Sequence, residues 1–230
     1  VFRIRRKAAE LEANVAILFD LQGPSIRTGD LAEPYHLKKG DTVEIRLGTA
    51  KPELPFSTTV NYDGLLQDVQ AGHTMVVDNG GILMRIAEVR PDRLICDVLT
   101  EGVFGSRRHI NLPGVALRLP ALTEKDLADL AVAVECETDY VAMSFVRDAA
   151  HIAQLREHID NLGGKAQIVA KIEDQQAVRH IDDIILAADV IMVARGDLGI
   201  EVSIEELPII QRRIVRHCHR LGPVSYTHLR

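Results

Sequence analysis

Apolar residues follow two rhythms in the second half of the chain. From residue 121 onward, stretches with apolar positions three or four apart alternate with short runs that are apolar at every position. The first rhythm belongs to a helix with one buried stripe and the second to a strand covered on both faces, so the pattern predicts helices alternating with parallel strands. Thr123 with Asp126 three positions on forms a capping box for a helix that turns Leu127, Leu130, Ala131 and Val134 inward. The strand Tyr140–Phe145 follows, then a helix with Ile152, Leu155, Ile159 and Leu162 inward, stopping at Gly163 and Gly164. A strand over 166–172, a helix over about 175–187 and the strand VIMVA over 190–194 continue the series. The last helix is expected to start from a second capping box, Ser203 with Glu206, and to bury Leu207, Ile210, Ile214 and Cys218. Such a βα rhythm is that of a parallel sheet or barrel.

Residues 30–115 keep a different period. Thr42–Arg46, Thr74–Val77, Ile82–Ile86 and Leu94–Val98 are short β-rich runs, separated by turn signals at Lys39-Gly-Asp41, Asp78-Asn-Gly-Gly81 and Arg90-Pro-Asp-Arg93. Upstream, Asn14–Asp20 reads as another strand with a polar end, so a small all-β domain lies between stretches of α/β material. The expected organisation is α/β material over 1–29, a β-rich lid over 30–115, and α/β material again over 116–224. Both ends depart from the pattern. The chain opens without Met on a helix-like stretch over 4–13, which suggests a missing beginning, and residues 225–230 are polar and aperiodic, expected to be an artefactual tail outside the fold.

Composition narrows the function more than the fold. With 47% hydrophobic and 26% charged residues among 230, the chain can bury one large core or two smaller ones. Aromatic residues make up 4% of the chain, Trp is absent and the net charge is −6, all of which speak against a nucleic-acid partner. Cys96, Cys136 and Cys218 show no paired spacing, which argues against a disulfide framework or a thiolate zinc site and for a reducing, cytoplasmic setting. No apolar run approaches the roughly 20 residues of a membrane span, and no membrane partner is expected. Arg212, Arg216 and Arg220 form a basic stripe, read as a solvated helix face. His217 and His219 are two apart on a helix and point to opposite sides, which discounts a metal pair.

Candidate chemistry collects where the strands end. Asp20, Ser144, Lys171 with Glu173, and Arg195 with Asp197 each follow an apolar run, at the carboxyl ends where parallel α/β sheets bind ligands. Lys171 and Glu173 are two apart and face one way, while Glu173 and Asp197 come from successive strands. Two carboxylates with open positions suit a hard divalent cation such as Mg²⁺, and a neighbouring lysine can neutralise charge developing on a phosphoryl group or an enolate. The glycines of Arg195-Gly-Asp-Leu-Gly199 are expected to turn backbone amides toward an anion ahead of the next helix. The plainer alternative is a set of solvated ion pairs and helix caps.

The stretches FDLQGPSIRTGD, VDNGGILM, INLPGVALRLPALTEKD, VAMSFVR, VAKIED and IMVARGDLGIE, in this order, resemble the pyruvate kinase family over residues 1–224. The resemblance implies an α/β fold, a partial (β/α)₈ TIM barrel with an inserted small all-β domain. It also implies transfer of a phosphoryl group from phosphoenolpyruvate to ADP, giving pyruvate and ATP. Carried over by position, Glu173 and Asp197 match the Mg²⁺ ligands, with Mn²⁺ as the alternative ion, and Lys171 the catalytic lysine. Arg27 matches an arginine of the phosphoryl-binding region, the amides of Gly196 and Asp197 a cradle for the substrate carboxylate with Ser144 beside it, and Asp20 a monovalent-cation ligand. Asp78, Arg108 and Asn111 match the lid side that meets nucleotide. The family further implies a homo-oligomer, a tetramer in intact members. Departures accompany the match. Leu21 with Ser25 fits neither the threonine-and-acid pair of K⁺-dependent members nor the leucine-and-lysine pair of K⁺-independent ones, so K⁺ dependence stays open, and His109 stands where the lid motif has glycine. An early strand, the later strands and a C-terminal domain of the family lie outside this chain, so the chain alone is expected to be inactive. Two other readings remain: another Mg²⁺-dependent barrel enzyme acting on an enolate, a lyase or aldolase, and a non-catalytic fragment.

Overall fold

A computed structural model describes residues 1–228. The chain begins with α1 (Phe2–Glu10) and β1 (Leu18–Leu21). It continues through β2 (Tyr35–Leu37), β3 (Thr42–Arg46), β4 (Phe56–Thr59), α2 (Leu65–Asp68), β5 (Thr74–Val77), β6 (Ile82–Val89), β7 (Arg93–Val98), β8 (Gly102–Phe104) and β9 (Ile110–Asn111). The second half runs α3 (Glu124–Glu135), β10 (Tyr140–Met143), α4 (Ala149–Asn161), β11 (Gln167–Ile172), α5 (Gln175–Arg179), α6 (Ile181–Ala187), β12 (Val190–Ala194), α7 (Arg195–Glu201), α8 (Leu207–Leu221) and β13 (Val224–His228). Two compact units result: one of residues 1–24, 120–199 and Ser203 onward, the other of residues 25–119 with 200–202.

In the first unit, β1, β10, β11, β12 and β13 form a five-stranded sheet in that order, every pair parallel. This is part of a (β/α)₈ barrel, with helices on one face. Tyr140, Ala142, Val169, Val190, Met192 and Ala194 pack together on the other face. Because side chains alternate across a strand, Val141, Ile168, Ile191 and Val193 point oppositely, toward the layer in which α3, α4, α6 and α8 bury Leu130, Ile152, Leu155, Ile159, Ile184, Ile214 and Cys218. Both faces of β12 are covered and all five of its residues are buried.

Several boundaries differ from the sequence expectation, each for a local reason. The strand expected over 14–20 starts at Leu18, where pairing with Tyr140 begins, and the Ile17 carbonyl accepts the Asp139 and Tyr140 amides. The helix expected over 175–187 breaks at His180, whose Nδ1 lies 3.0 Å from the Arg147 carbonyl oxygen. On α3 the buried line is Asp126, Leu130 and Ala133, whereas Leu127 and Ala131 are exposed. Asp126 turns the helix this way: its carboxylate completes the capping box with Thr123 and accepts the Gly23 amide at 3.0 Å, so it must face inward. Asp126→Ala removes the cap and leaves the Gly23 amide buried without its acceptor; unfolding by urea should show a loss of about 1–3 kcal/mol, and a variant as stable as the parent would deny the carboxylate that role. On α4, Leu162 is exposed while the other three expected positions are buried. The box Ser203 with Glu206 does not cap α8, which starts at Leu207 with Pro208 in its first turn, a position where the missing N–H costs nothing. Residues 225–228, expected to lie outside the fold, continue from Val224 as β13 and pair along β12, because parallel pairing needs only main-chain groups.

The second unit holds a six-stranded sheet in the order β4-β3-β7-β6-β5-β9 and the antiparallel pair β2-β8. β3, β5 and the cores of β6 and β7 fall where the period-two runs predict, but β2, β4, β8, β9 and α2 carry too few residues to show a period. Its core is built from Val43, Ile45, Met75, Val77, Ile82, Met84, Ile86, Leu94, Cys96 and Phe104, among others. Glu44, fully buried, is held by Arg93 at 2.8 Å and accepts the Glu53 amide at 2.7 Å, so the buried charge is paired and its lone pairs are used.

Candidate active site

The register of the parallel sheet gathers the strand-end residues of the first unit. Asp20 on β1 pairs with Ala142 on β10, Ala142 with Val169 on β11, and Lys171 with Met192 on β12. Lys171 therefore stands one side-chain step beyond Val169 on the face opposite the helices. Its stem must cross β10 to meet β1, two strand spacings of about 4.8 Å away. The Lys171 Nζ lies 3.3 Å from Asp20 Oδ1, donates to Ser144 Oγ at 2.8 Å and is 3.1 Å from Glu173 Oε1. Ser144 Oγ in turn donates to the Leu21 carbonyl at 2.8 Å. Three of the predicted strand ends thus meet around one ammonium group.

Glu173 is 2% exposed, and its Oε2 accepts the Phe145 amide at 2.7 Å. Burial pushes its carboxyl up to about 7, against the pull of Lys171 and the Phe145 amide and with a further push from Asp197. A buried carboxylate that its own partners leave under-compensated fits a cation with oxygen preference. Among the described residues no group of three or more His, Cys, Asp and Glu converges to hold a metal ion. Lys171 keeps its proton more tightly than usual: burial disfavours the charge, and the Glu173 and Asp20 carboxylates outweigh it.

Arg195-Gly-Asp-Leu-Gly199 is not a glycine loop. The segment is itself the start of α7, and neither Gly196 nor Gly199 has a positive φ. This helix begins directly at the end of β12, so the first-turn amides of Gly196 and Asp197 have no intrahelical acceptor.

In the second unit Arg27, Asp78, Arg108 and Asn111 gather at the β5-β9 end of the larger sheet. Asp78 sits with positive φ in the turn after β5, its amide donating to the His109 carbonyl, and its Oδ1 is 3.2 Å from Arg108 Nη1. Arg27 bridges to His109 and is steered by Ser25 Oγ at 3.2 Å and the Arg107 carbonyl at 3.1 Å. The His109 main chain accepts the Asp78 amide and bridges to Arg27. Asn111 pairs with Val76 and is buried, its side-chain oxygen unpartnered among the described residues. Asp126 and Phe145 hold the site and were not singled out by their chemistry. The capping box was the one visible signal of Asp126, and a backbone amide such as that of Phe145 leaves none. Arg212, Arg216 and Arg220 are all exposed, and His217 contacts Asp182 rather than His219. No helix among the described residues is long and apolar enough to cross a membrane.

Known proteins can be set against this geometry. The family model described as "Pyruvate kinase, barrel domain" matches residues 1–227. A pyruvate kinase of Clostridium perfringens is 38% identical over 226 residues, covering 97% of this chain and 48% of that protein. Plastidial pyruvate kinase 2 of Arabidopsis thaliana is 39% identical over 210 residues, 90% of this chain and 36% of that protein. A pyruvate kinase of Staphylococcus aureus is 33% identical over 222 residues, 95% of this chain and 38% of that protein. The chain spans about half the length, or less, of the curated relatives it matches. With the family model matched almost from end to end and a parallel βα series that gathers the motif residues at its strand ends, the chain belongs to the pyruvate kinase family and represents part of its barrel domain.

Proposed function

We propose that this chain carries the Mg²⁺-dependent phosphoryl-transfer site of a pyruvate kinase, passing the phosphoryl group of phosphoenolpyruvate to ADP to give pyruvate and ATP. The observation that carries the reading is the convergence of Lys171, Glu173, Asp20 and Ser144 at the carboxyl ends of adjacent parallel strands. Glu173 and Asp197 would hold Mg²⁺, or Mn²⁺ in its place. The ion would supply fixed positive charge to phosphoryl and enolate oxygens. Lys171 keeps its proton and directs a second positive charge to the same region, where charge builds in the transition state. The first-turn amides Gly196 and Asp197 bind the substrate carboxylate, and Ser144 orients the lysine. Asp20, exposed on one side, is the candidate ligand for a monovalent cation. Arg27 is assigned to the phosphoryl group, and Asp78, Arg108 and Asn111 to nucleotide. A cytoplasmic setting and assembly as a homo-oligomer belong to the same reading.

The test grafts residues 1–224 into the Clostridium perfringens pyruvate kinase in place of the matching segment. The chimera is expected to form pyruvate only when phosphoenolpyruvate, ADP and Mg²⁺ are all present, and the isolated chain none. A folded chimera that is inactive with Mg²⁺ and with Mn²⁺ would sink the proposal.

A further inference from the structure

Phe145 occupies a backbone conformation that costs an ordinary residue energy. Its φ is +55°, the left-handed region that L side chains with a Cβ seldom enter outside turns that over-determine them. The same residue's amide donates to Glu173 Oε2 at 2.7 Å. The turn is held from a second side. A Cβ on Gly23, itself at φ +70°, would stand 3.0 Å from the Phe145 ring, 3.0 Å from Ser144 Cβ and 3.1 Å from the Ser144 carbonyl oxygen. Gly23 in turn is fixed through its amide by the buried Asp126 carboxylate.

We infer that Phe145 is a positioning residue for Glu173: its left-handed turn, locked by Gly23 and Asp126, aims an amide at one carboxylate oxygen. The other oxygen is thereby directed to the side of Lys171, where a divalent cation would bind. The inference rests on the metal reading of Glu173 given above. Hydrogen bonds behind a ligating carboxylate orient it, and their loss typically weakens metal affinity 10–100-fold. Strain in the turn is what the function requires, because with φ negative the amide would point elsewhere.

The experiment replaces Phe145 by phenyllactic acid through nonsense suppression, exchanging its amide N–H for an ester oxygen while keeping ring and length, and titrates the chain with Mn²⁺ alone, followed by the spin resonance of the free ion. Mn²⁺ affinity is expected to fall by roughly 10-fold or more with the circular dichroism spectrum unchanged. Gly23→Ala, which leaves every donor in place but pushes the turn, is expected to weaken Mn²⁺ binding in the same direction. If both folded variants bind Mn²⁺ as the parent does while Glu173→Gln abolishes binding, the positioning role is overturned and the metal reading survives. If Glu173→Gln, too, binds like the parent, or the parent takes up no Mn²⁺, both fall.

Discussion

Replacing Lys171 by Met in the Clostridium chimera is expected to slow pyruvate formation by roughly 10³-fold or more, the scale of losing one aimed charge at a transferring phosphoryl group. Met keeps the length of the aliphatic stem and lacks the ammonium, so the loss is electrostatic. Lys171 is 13% exposed and touches Asp20, Ser144 and Glu173, a setting in which its charge acts through little water. The Mg²⁺ titration should move far less than turnover, because the ammonium competes with the ion for Glu173 rather than binding it. Titrating Mg²⁺ at saturating phosphoenolpyruvate and ADP separates the two quantities. Near-parental turnover in a folded Lys171→Met chimera would remove the lysine from the chemistry.

Glu173→Gln is expected to do opposite things to stability and to metal binding. In the folded chain burial holds the Glu173 carboxyl at about 7, against 4.5 in the unfolded chain. The folded state therefore binds this proton more tightly. Its contribution to stability is whole below pH 4.5 and is lost as pH rises through about 7. Above that range the ionised group opposes folding by on the order of 3 kcal/mol. Gln keeps the acceptor for the Phe145 amide and carries no charge. In EDTA the variant should resist urea better than the parent at pH 8, with the advantage shrinking toward pH 4.5. Added Mg²⁺ should raise the Tm of the parent at pH 8 and leave that of the variant alone, since only a chain that binds the ion is stabilised by it. An advantage that did not change with pH would show that the buried charge is not its source.

The βα series, the β-rich insert and the identity of most candidate residues were legible because they rest on periodicity and on motif order. VIMVA could be read as a strand buried on both faces since every one of its positions is apolar. β3 and β5 were legible end to end because each is a β-rich run set off by a turn signal, Lys39-Gly-Asp41 before β3 and Asp78-Asn-Gly-Gly81 after β5. Short elements such as β9, two residues long, escaped because no period fits inside them. The second capping box was read from spacing alone and yielded to Pro208, whose fixed φ set the start of α8. On α3 the apolar count favoured Leu127 and Ala131, yet a hydrogen-bonded carboxylate, Asp126, took the inward line.

By itself, then, the sequence determined which residue types stand at the ends of which strands, since local hydrophobic period and turn chemistry are written in consecutive residues. Only the tertiary structure decided that Lys171 reaches across β10 to Asp20, that the Arg195–Gly199 segment is helix rather than loop, and that a left-handed Phe145 feeds its amide to Glu173. Those outcomes depend on strand register and on main-chain groups. The main chain is the same at nearly every position, and register is set by pairing between segments far apart in the sequence, so neither leaves a mark in any local stretch.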